Sequence, residues 1–145
     1  MKLLFSTVGL FFLTTSVFAQ QWLTNFNQAK EIASEEDRVI ILVFQGSDWC
    51  APCMKLDKAI WSSQAFQSYA KDHFVMLQAD FPRKKANQLP EEQQVHNGQL
   101  AEIYNQQGYF PLVVILDKEG TVMGKTGFRN LSVEDYIKLL ESFKG

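Results

Sequence analysis

Two stretches in the body of the chain are apolar throughout: Val39-Ile40-Ile41-Leu42-Val43-Phe44 and Leu112-Val113-Val114-Ile115-Leu116. Unbroken apolar, largely β-branched runs of this length read as strands covered on both faces, because a strand with one wet face would alternate. Around them the period is helical. Asn25 is placed to cap a helix in which Phe26, Ala29, Ile32 and Ala33 share a face, and the polar cluster Ser34 to Arg38 ends it. Gly46-Ser47-Asp48 makes a turn, and Cys50 opens a helical segment that reaches about Lys71 with an irregularity near Ser62-Ser63. Phe74 to Ala79 reads as a further strand, and about Gln99 to Gln107 as a helix stopped by Gly108. Pro111 introduces the second apolar run, which Asp117-Lys118-Glu119-Gly120 turns back into Thr121 to Lys125 as an antiparallel partner. Ser132 caps a last helix with Glu134 and Asp135 in its first turn and Val133, Tyr136, Ile137, Leu140 and Phe143 on its apolar face.

Strands alternating with helices predict an α/β fold with a central mixed β-sheet flanked by helices on both faces. Val39 to Phe44 is its central parallel strand and the hairpin its antiparallel edge. Residues 81–98 contain Pro82, Pro90, Arg83-Lys84-Lys85 and several glutamines with no clear period, and are expected to form a long inserted loop. A solvated insertion and a partner-binding element both fit that composition.

Residues 1–19 stand apart from this pattern. Met1-Lys2 is a short basic start, Leu3 to Val17 is mostly apolar, and Val17-Phe18-Ala19 ends on small, apolar, small residues before Gln20. This is the form of a secretory signal peptide cleaved near Ala19, leaving residues 20–145 as one domain, periplasmic or otherwise exported. An uncleaved anchor is the alternative, but the stretch is shorter than the ~20 residues that span a bilayer and is interrupted by Ser6, Thr7, Thr14 and Thr15. The full chain has 145 residues, 46% apolar and 21% charged, which suits a single packed domain with one site. A formal charge of -2 offers no general field for nucleic acid or an anionic membrane, and neither is expected as a partner; a monomer is expected.

Export changes how the two cysteines are read, because in an oxidising compartment a close pair can exist as a disulfide. Cys50 falls at the start of a helix and Cys53 one turn inside it. Unpaired first-turn N–H groups and the helix dipole lower the pKa of a thiol at the first position, while the second is close enough to displace whatever sulfur the first has attacked. Pro52 is tolerated there because a first-turn N–H has no helical partner. The other readings of the charged and metal-binding side chains are weaker. His73 and His96 fit no zinc-finger spacing with the cysteines, and Trp22, Trp61 and the phenylalanines are simplest as core.

The segment Trp49-Cys50-Ala51-Pro52-Cys53 between a buried strand and a helix, followed by Pro111 before a hairpin, resembles the thioredoxin superfamily over nearly all of residues 22–145. More narrowly, Ser47 to Lys58, Phe66, Leu77 to Asp80 and Gly108 to Asp117 are similar to exported thioredoxin-like domains related to the C-terminal domain of the membrane disulfide reductase DsbD. The resemblance implies a thioredoxin fold and a thiol–disulfide oxidoreductase acting on protein thiols and disulfides. Its redox centre is the Cys50–Cys53 disulfide, with no bound cofactor and no metal. Cys50 is then the attacking thiolate and Cys53 the resolving thiol. Trp49, Ala51, Pro52, Phe110 and Pro111 form the substrate-binding surface, with Phe110-Pro111 cis. Asp57, seven residues after Cys50, becomes a candidate acceptor for the Cys53 proton; a solvated residue paired with Lys55 or Lys58 is its alternative. Two departures are visible: the buried acid usual six residues before the first cysteine is Phe44, and its accompanying lysine is replaced by Met76.

Ala51-Pro52 offers the Cys50 thiolate no side-chain donor or cation, so a reductant-leaning couple closer to about −270 mV than to about −120 mV is expected; the resemblance, with no flavin or nicotinamide motif in the sequence, implies a membrane-borne dithiol as the electron donor. Two other functions remain compatible with the residues: a non-catalytic binding module in which Cys50–Cys53 is a permanent staple, and an oxidase or isomerase using the same site.

Overall fold

A computed structural model describes residues 20–145; the expected leader and its cleavage point lie outside the described residues. The sheet has five strands: β1 (Trp22–Leu23), β2 (Val39–Gln45), β3 (Phe74–Asp80), β4 (Leu112–Leu116) and β5 (Val122–Thr126). They lie in the order β1-β3-β2-β4-β5. β2 runs parallel to β3 and antiparallel to β4, and β5 closes the far edge antiparallel to β4. This is the expected mixed sheet, with the strand before the cysteines at its centre and the hairpin at its edge.

Five helices cover it: α1 (Phe26–Glu36), α2 (Ala51–Leu56), α3 (Gln64–His73), α4 (Glu91–Tyr104) and α5 (Val133–Ser142). The side chains of β2 alternate between two separate cores. Ile40, Leu42 and Phe44 pack with Ala29 and Ala33 of α1 and Leu100 and Tyr104 of α4. Ile41 and Val43 pack with Leu56, Phe66 and Ala70 on α2 and α3 and with Tyr136 and Leu140 of α5. Both faces are dry, which is why the strand tolerates no polar residue until Gln45 at its end.

The caps are local and chemically ordinary. Asn25 accepts the Gln28 N–H at the start of α1, Ser63 accepts that of Phe66 at the start of α3, and Ser132 accepts that of Asp135 at the start of α5. Between α2 and α3 the chain passes through one π-helical turn, Asp57–Trp61, before breaking at Ser62-Ser63, where the irregularity was expected.

Two elements differ from the sequence reading. The two-residue β1 pairs with β3 at Trp22↔Met76 and Leu23↔Leu77, a length too short to show any period. The expected insertion is also shorter than residues 81–98, because α4 begins at Glu91. Its buried positions are Asn97, Leu100 and Tyr104, so the stripe facing the sheet opens on a polar residue and does not register as apolar. Asn97 is placed inward by its bonds: it donates to the Asp80 carbonyl at 2.9 Å and accepts from the Gln93 side chain at 2.8 Å. Glu91 and Glu92 right after Pro90, at the positive end of the helix, were the available signal. Within 81–90 a single 3-10 turn spans Lys85–Asn87.

Candidate active site

The C-terminal edge of β2 delivers the chain into the turn Gly46–Trp49. The Gly46 carbonyl accepts both the Trp49 and Cys50 N–H groups, at 3.3 and 2.9 Å. Glycine is required there because a Cβ at Gly46 would overlap the Trp49 indole. Cys50 is the N-cap of α2, with extended backbone, and its sulfur accepts the Cys53 N–H at 3.3 Å. Pro52 occupies the first turn, where no N–H is needed. Cys50 and Cys53 are joined in a disulfide with their Cα atoms 5.2 Å apart.

The pair is more enclosed than a helix start implies. Cys50 retains 4% of its surface and Cys53 5%, while Ala51 and Pro52 between them are exposed. The disulfide therefore lies at the surface with only a narrow face open to solvent. On the Cys53 side is a cleft of about 250 Å³ lined by Trp22, Gln45, Ser47, Met54, Asp57 and Gln78. Gln45 and Gln78 are bonded to each other there, amide to amide, at 3.2 Å.

This cleft reveals what the motif comparison missed. Phe44, at the position expected for the family's buried acid, points to the other side of the sheet and stacks on Phe81. Gln45, one residue later, lines the Cys53 side together with Gln78 of β3. Met76, by contrast, does lie in the core on the α2 face. A neutral amide pair thus stands beside Cys53. The strand's alternation was the available signal, since Val43 packs under α2 and Gln45 shares its face.

Asp57 lines the same cleft, one turn beyond Cys53, and is exposed. Its carboxylate accepts the Ser62 hydroxyl at 3.2 Å, and among the described residues it makes no ion pair with Lys55 or Lys58.

On the Cys50 side, Trp49 is half-buried and donates its indole N–H to the Phe81 carbonyl at 2.7 Å. It packs edge-on against Phe110, with ring centroids 5.3 Å apart. The Phe110–Pro111 peptide bond is cis. The preceding turn is held by Asn105, which is 5% exposed and bonds both the N–H and the carbonyl of Tyr109 at 2.9 Å.

The residues after β3 are clamped onto this turn. Asp48 accepts the N–H groups of Arg83 and Lys84 and the Asn87 side chain, at 2.9, 2.9 and 3.0 Å. These donors hold its carboxyl below the ordinary carboxylate value, the Arg83 N–H most of all, against a smaller opposing effect of burial. Asp80 in turn accepts the Ser47 N–H and hydroxyl at 2.9 and 2.6 Å. The sequence foretold none of these pairings.

Neither histidine approaches this arrangement as a ligand. His96 accepts the Phe26 N–H at 3.2 Å, and His73 stacks on Tyr69 with its Nδ1 2.7 Å from the Tyr69 carbonyl. No cluster of three or more metal-ligating side chains occurs among the described residues, and no described helix is long and apolar enough to cross a membrane.

The chain has clear relatives. A family model described as thioredoxin-like matches residues 21–118. The chain is 35% identical over 122 residues to the disulfide bond reductase DsbH of Chlamydia pneumoniae, covering 84% of this chain and 71% of that protein. A solved DsbH oxidoreductase superposes with a TM-score of 0.80 at 32% identity, over 95% of this chain and 94% of that one. The oxidised C-terminal domain of DsbD from Neisseria meningitidis shares the fold at 19% identity with a TM-score of 0.54, over 80% and 90% of the two chains. With a disulfide closing its Cys-Ala-Pro-Cys motif at the start of α2, the chain belongs to the thioredoxin-like family and is a thiol–disulfide oxidoreductase.

Proposed function

We propose that this protein is exported and reduces disulfides in other proteins. The observation that carries the reading is the Cys50–Cys53 disulfide with the Cys53 amide directed at the Cys50 sulfur. Once the pair is reduced, that amide and the start of α2 favour a thiolate on Cys50. The thiolate attacks one sulfur of a client disulfide, and the other client sulfur leaves as a thiolate that takes up a proton. Cys53 then loses its proton, attacks Cys50, and releases the second client sulfur, which is protonated in turn. Two electrons pass to the client, and the enzyme is left oxidised.

Asp57, on the wall of the cleft beside Cys53, takes the proton from Cys53 in the second step. Trp49, Ala51, Pro52, Phe110 and Pro111 form the surface on which the client segment lies, a reading supported by the packing of Trp49, next to Cys50, against Phe110. The thioredoxin resemblance implies that this segment pairs with the Phe110 backbone.

The direction follows from the linker and from kinship. Ala51-Pro52 gives the Cys50 thiolate no cation, which disfavours the reduced form relative to strong oxidants, and the DsbH relative is named a disulfide bond reductase. A potential near about −270 mV is the expected value. Each turnover then requires a dithiol donor; the motif resemblance to DsbD-related domains points to a membrane-borne one. Residues 1–19, with their secretory leader pattern, support an exported location.

The oxidoreductase kinship sets aside a module with a permanent Cys50–Cys53 staple, and the reading left beside the reductase is an oxidase or isomerase using the same site. Titration against a dithiol buffer, combined with insulin reduction, separates the two. A couple closer to about −270 mV with insulin turnover supports the reductase, whereas one closer to about −120 mV with oxidative refolding of a scrambled substrate supports the oxidase or isomerase. Cys53→Ala should leave client proteins attached to Cys50.

A further inference from the structure

Resting on the reductase reading above, we propose that Arg83 makes this enzyme selective for client segments that carry an Asp or Glu side chain close to the reacting cysteine.

Beside Trp49 an open groove of about 610 Å³ is walled by Phe81, Pro82, Arg83, Gly108 and Phe110. Its floor is aromatic, and Arg83 is the sole charged residue lining it. The guanidinium lies over the Trp49 ring, 3.6 Å from its centroid, and the Arg83 backbone is pinned by its N–H bond to Asp48. The side chain is therefore held in place before any client arrives, which lowers the ordering cost of a further bond. Among the described residues no acceptor bonds the guanidinium and no acid pairs with it.

The nearby acids are already engaged. Asp48 is bonded to the Arg83 and Lys84 N–H groups and to Asn87, with the Lys84 charge beside it, and Asp80 is bonded to Ser47 and to the Phe81 N–H. A planar cation with free donors on the wall of a groove lined by no other charged residue matches a carboxylate. A client segment extended past Trp49 brings the side chains flanking its cysteine into that groove.

The test uses the reduced protein and three short peptides, each a mixed disulfide with 2-mercaptoethanol and each with Glu, Gln or Lys beside its cysteine. Single-turnover oxidation is followed at low and high salt. Arg83→Gln should lower the Glu-to-Gln rate ratio by about fivefold, the scale of an exposed ion pair, and leave the Gln peptide within about twofold of the unsubstituted enzyme. Arg83→Lys should restore part of the ratio, and high salt should shrink it in the unsubstituted enzyme and in Arg83→Lys but not in Arg83→Gln. An equal loss on all three peptides would show that Arg83 only supports Trp49, and an unchanged ratio would remove any role for its charge; either overturns the proposal. Failure of the unsubstituted enzyme to react with any peptide overturns the reductase reading and the selectivity with it.

Discussion

The backbone N–H of Cys53 is aimed at the sulfur of Cys50 across 3.3 Å, so the second residue of the redox pair donates to the first through its main chain before it acts through its thiol. A main-chain donor survives any side-chain exchange at position 53. The thiolate-favouring environment of Cys50 should therefore persist in Cys53→Ala. In that variant, and in the reduced protein, the pH midpoint for iodoacetamide alkylation of Cys50 is expected below the free-cysteine value of about 8.5. A midpoint at or above that value would remove the Cys53 amide and the helix start as the source of a Cys50 thiolate.

Asp57 accepts the Ser62 hydroxyl and lines the Cys53 cleft, so its replacement should act on the second half of the reaction only. Asp57→Asn is expected to slow resolution of a preformed mixed disulfide by roughly a hundredfold, the lower end of general acid–base effects. The step should then depend on ionisation of the Cys53 thiol by solvent and rise steadily with pH, while the alkylation midpoint of Cys50 stays put. Asp57→Glu should recover part of the rate. Resolution kinetics with an unaltered pH profile would return Asp57 to the solvated surface.

Gly46→Ala tests the position of Trp49. The new methyl group would overlap the indole and displace it from the Phe81 carbonyl, while the core on both sides of the sheet is untouched. Circular dichroism should be unchanged, tryptophan emission should shift, and kcat/KM for a peptide disulfide should fall by up to about a hundredfold, as misplacement near reacting atoms allows. Unchanged turnover with a shifted emission would remove Trp49 from the client surface.

The clamp at Asp48 should be acid-sensitive. Its carboxyl is held below the ordinary value of 3.8, chiefly by the Arg83 N–H, so the folded state favours the ionised form. The stabilisation is complete above the unfolded-state value and is lost as pH falls through the lower folded one. Backbone amide signals of Arg83 and Lys84 should hold steady at pH 5 and move together below the ordinary carboxyl value. In Asp48→Ala they should be displaced already at pH 5. Amides that titrate near or above pH 4 would contradict the assignment.

Tyr136 anchors α5 away from the site. It is fully buried, its hydroxyl donates to the Gly127 carbonyl at 2.9 Å, and burial pushes its phenol pKa upward. Tyr136→Phe leaves that carbonyl without its donor and is expected to cost about 1–3 kcal/mol in denaturant unfolding. Leu140→Ala, which opens a cavity in the same core, should cost about 2–5 kcal/mol. Reductase activity per folded molecule should be retained in both.

What the linear order of residues determined about this protein is whatever a few neighbours settle among themselves. The run from Val39 to Phe44 is unbroken enough to demand burial on two faces, Cys50 and Cys53 are one helical turn apart, and Asn25 and Ser132 cap the helices that follow them. The architecture and the redox pair were legible for that reason. Tertiary structure alone decided the surroundings of the sulfurs. It paired Trp22–Leu23 with β3, started α4 at Glu91 through an inward-facing Asn97, and turned Phe44 away from Cys53 so that Gln45 met Gln78. It also brought Asp48 to Arg83 and Trp49 to Phe81 across more than thirty residues of chain. Each of these depends on which polar groups meet once the sheet has closed, and no period along the chain encodes such a meeting, because the partners' spacing is a property of the packed layers.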